Sequence, residues 1–537
     1  MPAERSGPEA RTVRAELRGS RLAFALTLLL LVPAVLAALA LSYQRPDLPP
    51  GPAAYAPLPL EKTENAIALQ GDELARSRVA NRVGRELVAP ALVDPSRLDP
   101  PLTGPAAPGE LPTLVLAPRE APYTLAEVAQ TEPQAFGSAG GGLLVRANLE
   151  VPAGATLVVD AQTPDVRLAS SASGFTTLIS RGGTVRIAGD EATEVRVSSW
   201  DEATGAPDAD KQDGRSFVLM VGGRMDVDRA RVEHLGFGTG TSSGMAWRGA
   251  PPTLGVEGPK AEGDVTRSVF ANNWFGAYTF EAQGMRWAEN AFVDNDAYGF
   301  DPHDLSNDFV VERNVAHGNG RHGFIFSRGC DRNVMRDNVA YDNRGHGFMI
   351  DDGRTQDAPF ADANVLPSND NLIEGNHAYD NDGSGIEIEG GTGNVVRDNL
   401  VEGNHVGVRI KDDAEALVIG NTINDSRLYG VDVLKTATGA EIVDNTITGG
   451  WASIGLGADG IATREGNTVT GASAPLVIAG TSVRESTPLL EVAKVLRWNP
   501  LLVLWGLILG VPLLIWLARG LPTRVLQQRR LRAQEQV

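Results

Sequence analysis

GFIFSR at residues 323–328 and GFMIDD at residues 347–352 are two copies of one short unit, 24 residues apart. Each opens on a glycine, continues with alternating apolar residues and ends in a polar turn, followed by an Asn-x-apolar step. GFDPHD at 299, GIEIEG at 385, GVRIKD at 407 and GVDVLK at 430 extend the series in steps of 24, 24, 38, 22 and 23 residues. Short strands at such a period, punctuated by Gly and Asn turns, fit a mainly β fold, a parallel β-helix. One coil cannot bury its own apolar face. Stacked coils close a continuous core, with equivalent strands ~4.8 Å apart. The Leu-x-x-Leu-x-Leu pattern of a leucine-rich repeat is absent. The 38-residue step carries an insertion of loop composition at residues 353–369.

Strand alternation sorts the side chains. The first and third residues after each glycine are expected inward: Phe324 and Phe326, Phe348 and Ile350, Ile386 and Ile388, Val408 and Ile410. The second position forms an outward ladder of Asp301, Ile325, Met349, Glu387, Arg409 and Asp432. The fourth forms another of His303, Ser327, Asp351, Glu389, Lys411 and Leu434. Arg328 follows Ser327, so His303 and Arg328 are expected one coil apart on one exposed face. A polar column of Tyr298, His322 and His346 precedes the glycines, and the coil before adds Tyr278.

The strand-and-turn texture runs from about residue 143 to 480. Residues 44–142 are rich in Pro and Ala and read as a tether and cap, with a short helix expected around 61–85. Residues 22–43 and 500–518 are apolar runs about long enough to span a bilayer. Arg5, Arg11, Arg14, Arg18 and Arg21 precede the first run, and Arg519, Arg524, Arg529, Arg530 and Arg532 follow the second. This places residues 1–21 and 519–537 in the cytoplasm and the β-helix outside, with 481–499 as a juxtamembrane linker of a two-pass cell-membrane protein. A cleaved signal peptide ending near Ala38-Leu39-Ala40 is the competing reading of the first run. The net charge of −19 speaks against general nucleic-acid binding, and an anionic substrate would need a locally basic groove. The single cysteine, Cys330, excludes an internal disulfide framework.

Most polar repeat residues have structural readings. Asn314, Asn338, Asn376, Asn399, Asn421 and Asn445 read as turn ladders, His317, His377 and His405 as solvated turn residues, and Asp351 and Asp352 as turn formers rather than metal ligands. The DPHD segment at 301–304 differs. Pro302 replaces a strand-favouring apolar residue, and three ionisable groups crowd four positions. A local rule broken inside a regular repeat marks a candidate site.

YGFDPHDLS at residues 298–306, followed by RHGFIFSR at 321–328, resembles the mannuronan C5-epimerases of alginate biosynthesis. FGAYTFEAQGM at 275–285 and VDNDAYG at 293–299 extend the likeness, which covers roughly residues 143–450. The resemblance implies a right-handed parallel β-helix outside the inner membrane, an isomerase converting mannuronate to guluronate within the polymer. It also implies that His303 is the catalytic base and that Arg328 neutralises the substrate carboxylate. The turn at 318–321 is one residue shorter than the family pattern, the 353–369 insertion is an addition, and the membrane segments depart from the usual periplasmic architecture.

The chemistry agrees with those roles. Removing the C5 proton of a uronate develops charge beside a carboxylate, which a paired guanidinium stabilises. A neutral imidazole suits the abstraction, with Asp301 or Asp304 orienting its ring. Water, Tyr298 or His322 would return a proton to the opposite face. Tyr278, His346, Arg409 and Lys411 are expected to bind neighbouring sugars. No cofactor is needed for this reaction. A polysaccharide lyase acting by β-elimination is the closest alternative, and under that reading Asp301, Asp304, Asp351 and Asp352 would hold Ca2+. A non-catalytic glycan-binding β-helix is the third. The expected partners are an acidic polysaccharide, the membrane, and a polysaccharide synthesis or export complex.

Overall fold

The computed structural model describes residues 113–472, apart from 172–173, 212–213, 238–241, 251–255, 354–364, 413, 435–436, 438 and 457–461. The apolar runs at 22–43 and 500–518, the segments flanking them, the helix expected around 61–85 and most of the 353–369 insertion lie outside the described residues. Among the described residues no helix is long and apolar enough to cross a membrane.

Three long sheets run the length of the domain, with 13, 13 and 16 strands among the described residues. Apart from three short antiparallel hairpins before residue 208, successive strands fall in different sheets, so each coil gives one strand to each sheet. The sheet carrying the repeat glycines includes β1 (Ala277–Phe280), β2 (Phe300–His303), β3 (Phe324–Ser327), β4 (Phe348–Asp351), β5 (Ser384–Glu389), β6 (Val406–Lys411) and β7 (Tyr429–Val433), each paired with the next.

Register follows the alternation. Phe324, Phe348, Ile386, Val408 and Val431 are successive partners and are fully buried. Phe324 and Phe348 stack with centroids 5.0 Å apart at 5°. Each buried aromatic or aliphatic side chain contributes about 1.5–3 kcal/mol relative to exposure. The repeat glycines are there because the next coil approaches closely. A Cβ on Gly323 would lie 2.8 Å from the Gly347 carbonyl oxygen, and one on Gly347 would lie 2.7 Å from that of Gly385.

The corner before many strands repeats one device. Glu289, Arg313, Asp337, Gly375, Asp398, Gly420 and Asp444 have left-handed φ, and each precedes a buried asparagine. The bend points that asparagine into the stack. Asn314, Asn338, Asn376, Asn399, Asn421 and Asn445 form the expected ladder, each Oδ1 accepting the preceding coil's Asn N–H at 2.8–2.9 Å. A second ladder runs through Asn273, Asn295, Asn319, Asn343, Asn381 and Asn404.

Two expectations change. The boundary expected at 143 moves earlier, because the strand Thr113–Val115 already pairs with Asn148–Pro152. The helix Leu125–Thr131 buries Leu125 and Val128 against the first coil, covering the open end of the core. His317, His377 and His405 are not simply solvated. His317 stacks on Tyr341 at 4.7 Å, His377 Nε2 lies 3.1 Å from Glu402, and burial depresses His405 to about 4.

Asn338→Ala removes the acceptor for the Asn314 N–H and the donor to the Val311 carbonyl. The expected loss is about 1–3 kcal/mol, read as a lower midpoint in chemical denaturation.

Candidate active site

β1 to β6 and the turns before them wall a groove of about 690 Å³. Of the residues singled out by sequence, Tyr278, Tyr298, Asp301, His303, His322, His346 and Lys411 line it. Asp304, Arg328 and Arg409 do not. Phe275, Arg321, Ile325, Arg344, Met349, Asp351 and Glu387 also line it and were not taken as site residues. The floor is not the exposed face expected from alternation: Asp301, Ile325, Met349 and Glu387 are at most 4 % exposed. Side chains of the turn column cover it. Phe275 packs on Tyr298 at 5.0 Å, Tyr298 stacks on His322 at 5.4 Å, and His322 on His346 at 4.6 Å.

DPHD ends β2 in an unusual way. Pro302 has no N–H to give, and towards β3 only Phe300 and His303 have register partners, Phe324 and Ser327. Asp304 and Leu305 then take left-handed φ of 27° and 60°, as Glu281 and Arg328 do at the same corner of the neighbouring coils. That reversal turns the Asp304 carboxylate back against the ring of the preceding residue. His303 Nδ1 lies 3.1 Å from Asp304 Oδ1, and the same oxygen accepts from Arg328 Nε at 2.5 Å. Asp304 thus joins the two residues, and Nε2 of His303 is left as the basic nitrogen.

Burial works against a charged imidazole here. The Asp304 hydrogen bond and the charges of Asp301 and Asp304 outweigh it and raise the His303 pKa above its ordinary 6.5. Burial also works against the Asp304 carboxylate, but His303 and Arg328 hold it below the usual range. Asp301 is pushed up to about 7 by burial, with His303 opposing and Asp351 adding to the shift. Its Oδ1 has no hydrogen-bond partner among the described residues. The Tyr278 ring sits 5.9 Å from the His303 ring, and burial raises its phenol pKa.

His322 has a fixed tautomer. Nδ1 of His322 accepts the His346 backbone N–H at 2.9 Å, and Nδ1 of His346 accepts that of Ser384 at 2.8 Å. A backbone amide only donates, so the His322 ring carries its proton on Nε2; His346 Nδ1 also lies 3.2 Å from Glu387 Oε2, a carboxylate that favours a proton there. Burial depresses both, His322 well below its ordinary value.

Arg409 and Lys411 were expected to meet substrate carboxylates. Arg409 Nε is 3.2 Å from Asp432, and Lys411 Nζ is 3.1 Å from both Glu387 and Glu389. Their charge is committed to buried carboxylates one coil away. Asp351 and Asp352 are buried, beyond a turn-forming role. With Glu389 they bring three carboxylates within 4.8 Å, a spacing that could hold a cation. Asp351 accepts from Ser327 Oγ at 2.7 Å and from the Gly353 N–H. Burial pushes Glu389 up to about 8 against the pull of Lys411.

Comparison with known proteins bears on the fold. Residues 251–362 and 362–486 match the family described as a right handed beta helix region. A mannuronan C5-epimerase of Pseudomonas fluorescens is 28% identical over 178 residues, 32% of this chain and 32% of that protein. The mannuronan C5-epimerase AlgG of Azotobacter vinelandii is 28% identical over 194 residues, 35% of each. The chain spans about a third of the length of the curated relatives it matches. A crystal structure of the periplasmic alginate epimerase AlgG superposes with a TM-score of 0.56, covering 66% of this chain and 85% of that one at 20% identity. The fold is a right-handed parallel β-helix, and the chain resembles mannuronan C5-epimerases.

The raised His303 pKa carries a definite sign. The charged pair stabilises the fold below the unfolded-state pKa, and that contribution fades as pH rises through the folded value. In a histidine NMR titration, His303 is expected to titrate above 6.5 in the wild type and to move down in Asp304→Asn.

Proposed function

We propose that this chain is an extracytoplasmic polyuronate-modifying isomerase, a mannuronan C5-epimerase-like enzyme. The Asp304 carboxylate shared by His303 and Arg328 is the observation that carries this reading. With Nδ1 held by Asp304, His303 offers Nε2 to the C5 proton, and a base so positioned typically contributes ~10²–10⁴-fold. The contact favours Asp304 over Asp301 as the orienting carboxylate. Arg328 supplies positive charge beside the base, which lowers the cost of the charge that develops on the substrate carboxylate. Asp301, pushed up to about 7 with a buried unsatisfied oxygen, keeps a carboxyl close to the His303 ring.

Return of a proton to the opposite face falls to Tyr298 or water. His322 is a poor source, because losing its Nε2 proton would leave an imidazolate whose other nitrogen already accepts a hydrogen bond. It serves as a neutral donor to the sugar. No cofactor takes part. A lyase would need the same base, and the commitment of Asp304 to His303 and Arg328 weighs against its use as a Ca2+ ligand. The apolar runs at 22–43 and 500–518 would anchor the enzyme as a two-pass membrane protein beside a polysaccharide synthesis or export complex.

Full-length protein is expected to raise the guluronate content of polymannuronate without producing unsaturated chain ends. His303→Ala should lower that rate at least ~10²-fold with the fold intact. Unsaturated ends without guluronate would establish the lyase instead. The wild-type rate should rise with pH as His303 loses its proton, with a midpoint above 6.5. Asp304→Asn should move this limb to lower pH.

A further inference from the structure

A polyanion entering this groove meets Asp301, Asp351 and Glu387 on its walls, in a chain of net charge −19. Binding therefore needs cations that the protein has not already neutralised. Arg328, which shares Asp304 with His303, serves the reacting sugar, Arg409 is paired with Asp432, and Lys411 with Glu387 and Glu389. Two remain. Arg321 and Arg344 both line the groove and are exposed. Arg321 Nη1 donates to the Tyr298 hydroxyl at 2.8 Å, a neutral partner that steadies the guanidinium without cancelling its charge. Neither arginine has a carboxylate partner among the described residues, and Arg344 has no side-chain hydrogen bond there.

The two arginines sit on successive turns, one position out of register. The Gly345 N–H donates to the Arg321 carbonyl at 2.7 Å, and the Arg344 N–H, at the position of Gly320 one coil earlier, to that of Asn319 at 3.0 Å. That coil spacing of ~4.8 Å is close to the advance of one residue in an extended 1,4-linked glycan. The His303 coil comes just before them. Beside Arg321 stands His322, locked as an Nε2–H donor and able to bind a ring hydroxyl or a carboxylate oxygen.

We propose that Arg321 and Arg344 hold the carboxylates of uronate residues neighbouring the one that reacts, so that the groove selects a run of consecutive uronates over a chain interrupted by neutral sugars. This rests on the epimerase reading above. The residues set specificity and lie apart from the reacting atoms, so their effect belongs in KM rather than kcat.

The test is steady-state kinetics of the full-length chain, as wild type, Arg321→Ala, Arg344→Ala, the double variant and Arg344→Lys. The substrates are polymannuronate and the same polymer with part of its carboxylates converted to amides. Unfolding midpoints guard against misfolded variants, and Arg344→Lys keeps the charge if the alanine variant is unstable. The double variant is expected to raise KM roughly tenfold on polymannuronate, with kcat changed less than about threefold. Its preference for the fully charged polymer should shrink, and Arg344→Lys should recover part of the loss relative to Arg344→Ala. Unchanged KM and preference in variants of an active wild type would overturn the inference alone, as would a loss confined to kcat. A wild type inactive on polyuronates would remove the epimerase reading, and this inference with it.

Discussion

In-register parallel pairing is the constraint on which the rest of this molecule depends. Each side chain meets its counterpart one coil away at ~4.8 Å, so every column must be filled by groups that tolerate their neighbours. Aromatic and amide groups do this by stacking and hydrogen bonding, as with Phe324 on Phe348, Tyr341 on Tyr379, and the asparagine ladders. Charges do it by alternating in sign. Glu387, Arg409 and Asp432 are successive partners of one outward column, and their ion pairs close along it. Asp301 occupies the same column without a cation at the neighbouring positions, where it meets Tyr278 and stands before Ile325. Its raised pKa and unsatisfied oxygen record the cost. The site lies where the ladder rule fails.

The groove reconciles two electrostatic demands. A base for a carbon acid must be neutral when substrate arrives yet welcome a proton in the transition state. His303 is buried enough to resist charge, while Asp304 on Nδ1 favours it. Arg328 on the same carboxylate moderates that pull, since part of the Asp304 charge is already spent. His322 and His346 show the opposite setting. Burial disfavours their charge, and two imidazoles stacked at 4.6 Å would repel if both were charged. Under the proposed mechanism, similar rings on adjacent coils serve as base or as plain donor according to what touches Nδ1.

The coil stack and its columns were legible because glycine spacing and period-2 alternation are properties of the backbone, present at every repeat. The same rule placed His303 opposite Ser327 and therefore near Arg328. It could not show that Asp304 links them, because left-handed backbone at Asp304 and Leu305 leaves strand geometry behind. Nor could it find Arg321 and Arg344, which sit on turns where alternation assigns no direction. A signal for them existed: both shortly precede a histidine of the column that ends at His346, in RHG at 321–323 and RGHG at 344–347. The ion pairs of Arg409 and Lys411 were not legible for a related reason. Sequence gives a side chain's column, but whether its charge is already neutralised depends on the adjacent coil.

Proton NMR of polymannuronate incubated with the full-length protein in heavy water tests the central claim most directly, that His303 removes a C5 proton which solvent then replaces. Guluronate carrying deuterium at C5, absent with His303→Ala, is the expected result. Guluronate that keeps its original C5 proton, or deuterated guluronate formed equally well without the His303 imidazole, would contradict it.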